Sequence, residues 1–341
     1  MKLSRYSKIL CIILLSGAVL SGCATTAGLV GFGKISEGDI LAEVCVENSN
    51  LLKFWSSISG ELQLRPSRLS VQTSATQTPA IKRIRLISPT AVAAQATDVF
   101  IADSGQKKIF KYDRATQTIS VFANVPDMGN KVSLHVDRGL LVYLVNQVTA
   151  TTVQYDIDGR RLKVFENAAE LTQPVAVTVD DIQAEIFIAD QLRAHVLVFN
   201  RGGGINRVIN APKGGKDKIQ SITAMAFAKN QLYLVDRTGH QIFALSPTGK
   251  FRYVFGADEL VAPGVIAVDD EGRVFVFDAA NNAIKVYRGG LFEGELGDAD
   301  TGTASRFQQV SGLWVDGDLL YVADAASASV KIFSIAPPCE Q

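Results

Sequence analysis

The chain of 341 residues is poor in the residue types on which site chemistry most often rests: three histidines, four cysteines, three methionines and two tryptophans. An excess of one charge is lacking too, with 34 Lys and Arg against 34 Asp and Glu. Without residues 1–22, which carry Lys2, Arg5 and Lys8 and no acid, 31 basic groups face 34 acidic ones. Nucleic-acid binding by counterion release needs a clustered basic excess, so that function is set aside. No long apolar run follows residue 22, and nothing later reads as a membrane-spanning helix. A Gly-x-Ser-x-Gly elbow, a Cys/His pair with supporting spacing and a phosphate loop are also missing. These gaps argue against catalysis, and no cofactor is expected.

What the chain does have is a repeat. An aromatic residue, two apolar or small residues and then Asp, once Asn, recur at Phe100–Asp103, Tyr143–Asn146, Phe187–Asp190, Tyr233–Asp236, Phe275–Asp278 and Tyr321–Asp324. The steps between their last residues are 43, 44, 46, 42 and 46. With 17 Phe, 8 Tyr and 2 Trp in the chain, chance would place about half an aromatic among the six first positions, so the repeat is real. Nine residues beyond each Asp or Asn lies a large apolar residue: Tyr112, Tyr155, Phe199, Leu245, Tyr287 and Phe333.

Each unit holds four short apolar runs separated by turn residues. In the third they are Val175–Val179, Glu185–Ala189, Val196–Asn200 and Asn206–Ile209. Runs rich in β-branched and aromatic residues, bounded by Gly, Asp and Asn, read as antiparallel strands. Asp137-Arg138-Gly139, Asp158-Gly159, Asp270-Glu271-Gly272 and Asp316-Gly317 supply hairpin turns. Four strands per period near 44 predict an all-β, six-bladed propeller of four-stranded antiparallel blades over 81–336. The last unit shows three strands, Val310–Val315, Leu319–Ala323 and Val330–Ile335, before Pro337-Pro338. The orphan strand Ile81–Ile87 is therefore expected to complete the last blade and close the ring. Residues 35–80 fit no repeat and are read as an irregular extension, in which Leu51, Leu52, Phe54, Trp55 and Ile58 suit one face of a helix; residues 337–341 form a tail.

Pro263–Asp269, Arg273–Asp278 and Asn281–Tyr287, with the Gly-rich stretch 297–307, resemble the NHL family of six-bladed propellers. The resemblance covers roughly 81–336. It implies the fold and says little about activity, because the family motif is largely a folding motif. The second unit departs from it, with Asn146 for Asp and Gln147-Val148-Thr149 for the usual polar turn.

The N-terminus is a targeting segment. Lys2, Arg5 and Lys8 precede an apolar stretch, Ile9–Val19, too short to span a bilayer. Leu20-Ser21-Gly22-Cys23 follows and resembles the lipobox of bacterial lipoproteins. The resemblance implies removal of residues 1–22 and acylation of Cys23, with 23–34 as a Gly-rich tether and the membrane reached through the acyl anchor. Ala24 rather than Asp after the Cys implies the outer membrane. In that oxidising compartment Cys45 and Cys339, flanking the repeats, are expected to form a disulfide that ties the two ends of the domain together, with two free thiols as the alternative.

The site residues admit a structural and a functional reading. The repeated Asp103, Asn146, Asp190, Asp236, Asp278 and Asp324 fit turn-pinning better than catalysis or metal binding, because Asn146 can accept backbone N–H bonds without charge. His135 falls in an inner strand, whereas His195 and His240 open outer-middle strands, so the three do not make a zinc set. Asp298-Ala299-Asp300-Thr301-Gly302 starts like a calcium loop but lacks the bidentate Glu. The inner-strand openings Ala91, Val132, Val175, Ile222, Gly264 and Ser311 offer no carboxylate for a lactonase-like calcium site. One rim collects Arg193, His195, Lys213, Lys216, Lys218, Arg237, His240, Asn281 and Asn282: a solvated surface, or one that recognises an acidic protein or polysaccharide. The expectation is a monomeric, lipid-anchored, non-catalytic scaffold for an unidentified envelope protein. A calcium-dependent lactonase-like hydrolase and a glycan-binding module are the alternatives.

Overall fold

The computed structural model describes residues 51–60, 84–210, 218–297 and 306–336. Among these there are 24 strands and no helix. A first strand, β1 (Leu52–Ile58), precedes six units. Blade one is β2 (Pro89–Gln95), β3 (Asp98–Asp103), β4 (Lys108–Asp113) and β5 (Thr118–Asn124). Blade two is β6 (Val132–Val136), β7 (Val142–Asn146), β8 (Thr151–Tyr155) and β9 (Arg161–Phe165). Blade three is β10 (Pro174–Asp180), β11 (Glu185–Asp190), β12 (His195–Asn200) and β13 (Ile205–Asn210). Blade four is β14 (Ile222–Ala228), β15 (Gln231–Asp236), β16 (Gln241–Leu245) and β17 (Phe251–Phe255). Blade five is β18 (Pro263–Val268), β19 (Arg273–Asp278), β20 (Ala283–Arg288) and β21 (Leu291–Leu296). Blade six has β22 (Val310–Asp316), β23 (Leu319–Asp324) and β24 (Ser329–Ile335), with β1 as its fourth strand. Each blade is a four-stranded antiparallel sheet, and the six inner strands touch in cyclic order, β22 meeting β2.

Burial explains the composition of each strand. A blade packs both faces against its neighbours, so its second strand is apolar between its ends; β23, Leu-Leu-Tyr-Val-Ala-Asp, is buried at every residue. Outer strands reach the perimeter and keep polar residues, as in β17, Phe-Arg-Tyr-Val-Phe. The core is accordingly divided into six apolar wedges, one at each blade junction. A basic side chain also clasps each junction. Lys107 donates to Met128 O, Lys163 to Arg201 O, Arg207 to Pro247 O, Lys229 to Glu271 O and Arg273 to Ala336 O, while Arg114 pairs with Asp316.

The ring closes as expected, but with a different strand. β1, not 81–87, pairs with β24, in register from Leu52 opposite Ile335 to Ile58 opposite Val330. A bulge between Phe54 and Ser56 turns the strand over. Leu52 and Phe54 therefore pack in the wedge against blade five, and Ile58 in the wedge against blade one. The bulged residue, Trp55, is 63% exposed. One extra residue changes a period of two into spacings that mimic a helix, which is why the stretch read as a helix face. Residues 84–88 cannot close the sheet, because the amides of Ile87 and Ser88 are bonded to the Asp103 carboxylate. They form the connection that leads into β2. At the seam the inner strands of blades six and one come so close that a Cβ on Gly312 would meet Ala91 Cα at 3.0 Å. The lipobox, Cys45 and Cys339 lie outside the described residues.

Candidate functional site

The repeated polar residue joins two segments that are distant in sequence. Asp190 accepts the amides of Thr172 and Gln173 at 2.6 Å each and that of Arg193 at 2.9 Å. Asp236 accepts Gln220, Ser221 and Gly239 at 2.9, 3.1 and 3.1 Å. Asp103, Asp278 and Asp324 do the same with two amides before their own inner strand and at least one just beyond themselves. Asn146 accepts Gly129 and Val148 and uses its amide to donate to Asp127 O. All six side chains are buried. The expected turn contact is present, while the two amides contributed from 15 to 18 residues upstream are an addition. Two of these carboxylates also meet a buried lysine seven residues on. Lys331 is hydrogen-bonded to Asp324, and Lys285 lies 3.7 Å from Asp278.

These staples mark one end of the channel, and the expected rim residues divide there. Arg193, Lys218, Arg237 and His240 are exposed. His195 is not: it is 5% exposed, with Nε2 at 2.8 Å from Glu170 O, so it belongs to the frame rather than to a docking surface. Asn281 donates to the Asp278 carboxylate and the half-buried Asn282 to Phe307 O, so both serve the blade. Lys213 and Lys216 lie outside the described residues. Sequence reasoning missed the apolar component of this rim. Ile87, Val148, Leu192 and Val261 are 58, 71, 72 and 52% exposed. Val148 and Leu192 stand two residues past the staple, where turns are ordinarily polar, and that is the signal that would have found them.

At the opposite end, ringed by the hairpins between first and second strands, the channel opens into a cavity of about 800 Å³. Its form comes from a break in the repeat. The inner-strand residues paired with the repeated aromatics are Ala93, His135, Thr178, Ala226, Ala267 and Trp314. Four are small and two are large rings. Those two meet: Trp314 crosses the alanine-rich inner edge of blade one, donates Nε1–H to Ala94 O at 2.7 Å and packs edge-on to His135 at 5.0 Å between centroids. Burial lowers the His135 pKa to about 3, so the imidazole is neutral. At the mouth, burial raises Asp181 and Asp316 above the usual carboxylate value, although Arg201 and Arg114 lie within 3.3 Å of them. Among the described residues no three His, Cys, Asp or Glu side chains are grouped so as to hold a metal ion.

The fold is shared, at low identity, with propellers of differing function. No protein-family model and no curated protein sequence matches the chain. A streptogramin B lyase is similar over 75% of this chain and 85% of its own, at 14% identity and a TM-score of 0.55. Virginiamycin B lyase from Staphylococcus aureus is similar over 73% of this chain and 96% of its own, at 12% identity and 0.55. A chain of a nidogen/laminin complex is similar over 62% and 81%, at 15% identity and 0.54. Likeness at this level establishes the propeller and leaves activity to the site itself. What the site offers is a rim of mixed apolar and basic groups at one end and, at the other, a cavity whose lining mixes aromatic and aliphatic side chains with polar ones.

Proposed function

We propose that this chain is a lipid-anchored propeller of the cell envelope that binds a protein partner, without catalysis, on the rim carrying the Asp staples. The observation that supports it most is the exposure of Ile87, Val148, Leu192 and Val261 on the rim that also carries Arg193, Arg237, His240 and Lys218. Apolar side chains beside positive charge suit a partner with an apolar patch bordered by acids. The repeated carboxylates each bind backbone amides and serve the fold. The nidogen/laminin complex among the structural neighbours gives a precedent for this fold within a protein assembly.

The anchor rests on Leu20-Ser21-Gly22-Cys23 and the rim on geometry, so the two are tested separately. Cys23→Ala is expected to move the protein from the membrane to the soluble fraction. For the rim, crosslinked partners are compared between the native protein, Leu192→Glu/Arg237→Glu, and Asp270→Lys at the opposite end. A specific partner is expected to be lost from the double variant and kept by Asp270→Lys. Equal capture by all three would overturn the rim assignment. Tightly bound stoichiometric calcium together with lactone hydrolysis would replace the scaffold with the hydrolase reading.

A further inference from the structure

The cavity at the far end of the channel is not used by the rim, and its walls have a definite chemistry. At about 800 Å³ it falls in the size range of small-molecule sites, roughly 300–1,000 Å³. Phe227, Val268, Trp314 and Val315 are partly exposed along its lining, as are the polar side chains of Ser133 and Gln95. His135 is the one histidine that lines it. Among the described residues neither ring nitrogen of His135 has a hydrogen-bond partner, although its edge is held by Trp314 at 5.0 Å and Tyr143 at 6.3 Å. A positioned ring without a partner keeps one donor and one acceptor available for whatever enters.

We propose that this cavity binds a small uncharged amphipathic molecule, an apolar or aromatic body bearing a hydroxyl or amide group, with the polar group hydrogen-bonded to His135 and the body against Trp314 and Phe227. Three observations fix the class. The desolvation that keeps His135 neutral penalises any net charge brought to the same depth. Trp314, Phe227, Val268 and Val315 give one part of the lining an aromatic and aliphatic surface that suits an apolar body, and Ser133 and Gln95 give polar groups beside it. The large rings of blades two and six occupy a position that is Ala or Thr in the other four, so the site is asymmetric on an otherwise sixfold scaffold. Asp181 and Asp316 are paired with Arg201 and Arg114, and the other charged lining residues, Arg138, Asp180, Lys229, Asp269 and Asp270, sit with them at the hairpins and strand ends of the mouth.

The test uses the mature protein with Trp55→Phe, which leaves Trp314 as the sole tryptophan reporter. The probe is p-cresol, with p-toluate and p-methylbenzylamine as anionic and cationic analogues. Saturable perturbation of Trp314 emission by p-cresol is expected, with both charged analogues at least about tenfold weaker, or about 1.4 kcal/mol. His135→Phe, which keeps a ring and removes its hydrogen bonds, is expected to weaken p-cresol about tenfold, while His135→Gln and Leu192→Ala stay near the parent affinity. The proposal fails if p-cresol gives no saturable response, if a charged analogue binds as tightly, or if His135→Phe binds p-cresol unchanged. Should His135→Phe not fold, the charge series on the parent protein decides the matter alone. The rim enters this test only through the Leu192→Ala control, so failure of the proposal leaves the scaffold reading standing.

Discussion

Blades three and six have the same four-stranded plan, yet one is a continuous stretch of chain and the other is assembled from its two ends. In blade three the outer strand β13 is tied to β12 by a short hairpin and contributes Ile209 alone to a buried wedge. In blade six the outer strand β1 has no such link to β24, and it buries Leu52 and Ile58 to 4% exposure on opposite faces. Connectivity holds one strand and side-chain burial holds the other. The same contrast runs through the staples: Asp190 binds amides and the Thr172 hydroxyl, all neutral donors, whereas Asp324 also holds the buried Lys331 ammonium.

The largest effect is expected from emptying the β1 anchors. Leu52→Ala/Ile58→Ala is expected to cost about 2–5 kcal/mol for each residue, read as the shift in urea midpoint, and to make blade six the first site of proteolysis. Next comes Asp324→Ala. Leaving a buried lysine without its partner costs about 3–5 kcal/mol, and Lys331→Met in the same background should recover much of it. Burial alone would raise the Asp324 carboxyl, but the Lys331 hydrogen bond and the amides of Gln309 and Gln308 outweigh it, and the net pKa lies below the ordinary 3.8. Its contribution is therefore complete above that ordinary value and is lost as pH falls through the lower, folded one. Acid titrations of the native and Asp324→Asn proteins should diverge above this window and converge below it.

Smaller effects are expected at positions that strand no charge. Asp190→Ala, which orphans amides without stranding a charge, should cost about 1–3 kcal/mol. Asn146→Asp should destabilise by a similar amount, because the amide that donates to Asp127 O at 2.9 Å becomes an oxygen facing an oxygen. Ile205→Thr on the exposed outer strand of blade three should change the midpoint by less than about 0.5 kcal/mol. An Ile205→Thr effect as large as Leu52→Ala would mean that both outer strands are held alike.

The blade plan was legible because the propeller repeats one packing problem six times. Each second strand needs apolar residues on both faces and each staple needs an acceptor, so Phe187–Asp190 and its counterparts recur. The same regularity exposes three strands in the last unit and the need for a fourth. Its identity was hidden by the Trp55 bulge, which gave Leu51 to Ile58 a helical spacing and made Ile81–Ile87 the better candidate. His195 read as a surface group because its sequence position cannot reveal the carbonyl of Glu170 beneath it. Lys285 and Lys331 look like surface charges for the same reason. The cavity was legible in principle: alignment of the six inner strands sets His135 and Trp314 apart from Ala and Thr. That the two rings meet across blade one depends on curvature, which no single unit encodes.

The placement of β1 has a consequence for biogenesis. A ribosome releases Leu52–Ile58 before, and Ser329–Ile335 after, all the strands of blades one to five, so the two halves of the sixth blade are made with five blades between them. Until Ser329–Ile335 has been made, Leu52–Ile58 waits unpaired while up to five blades condense after it. Contacts of such long sequence separation form slowly and leave sticky surface open meanwhile. A holdase that shields the nascent N-terminal segment should therefore raise the yield of sealed rings, and a prematurely terminated chain should remain an open arc with an apolar edge.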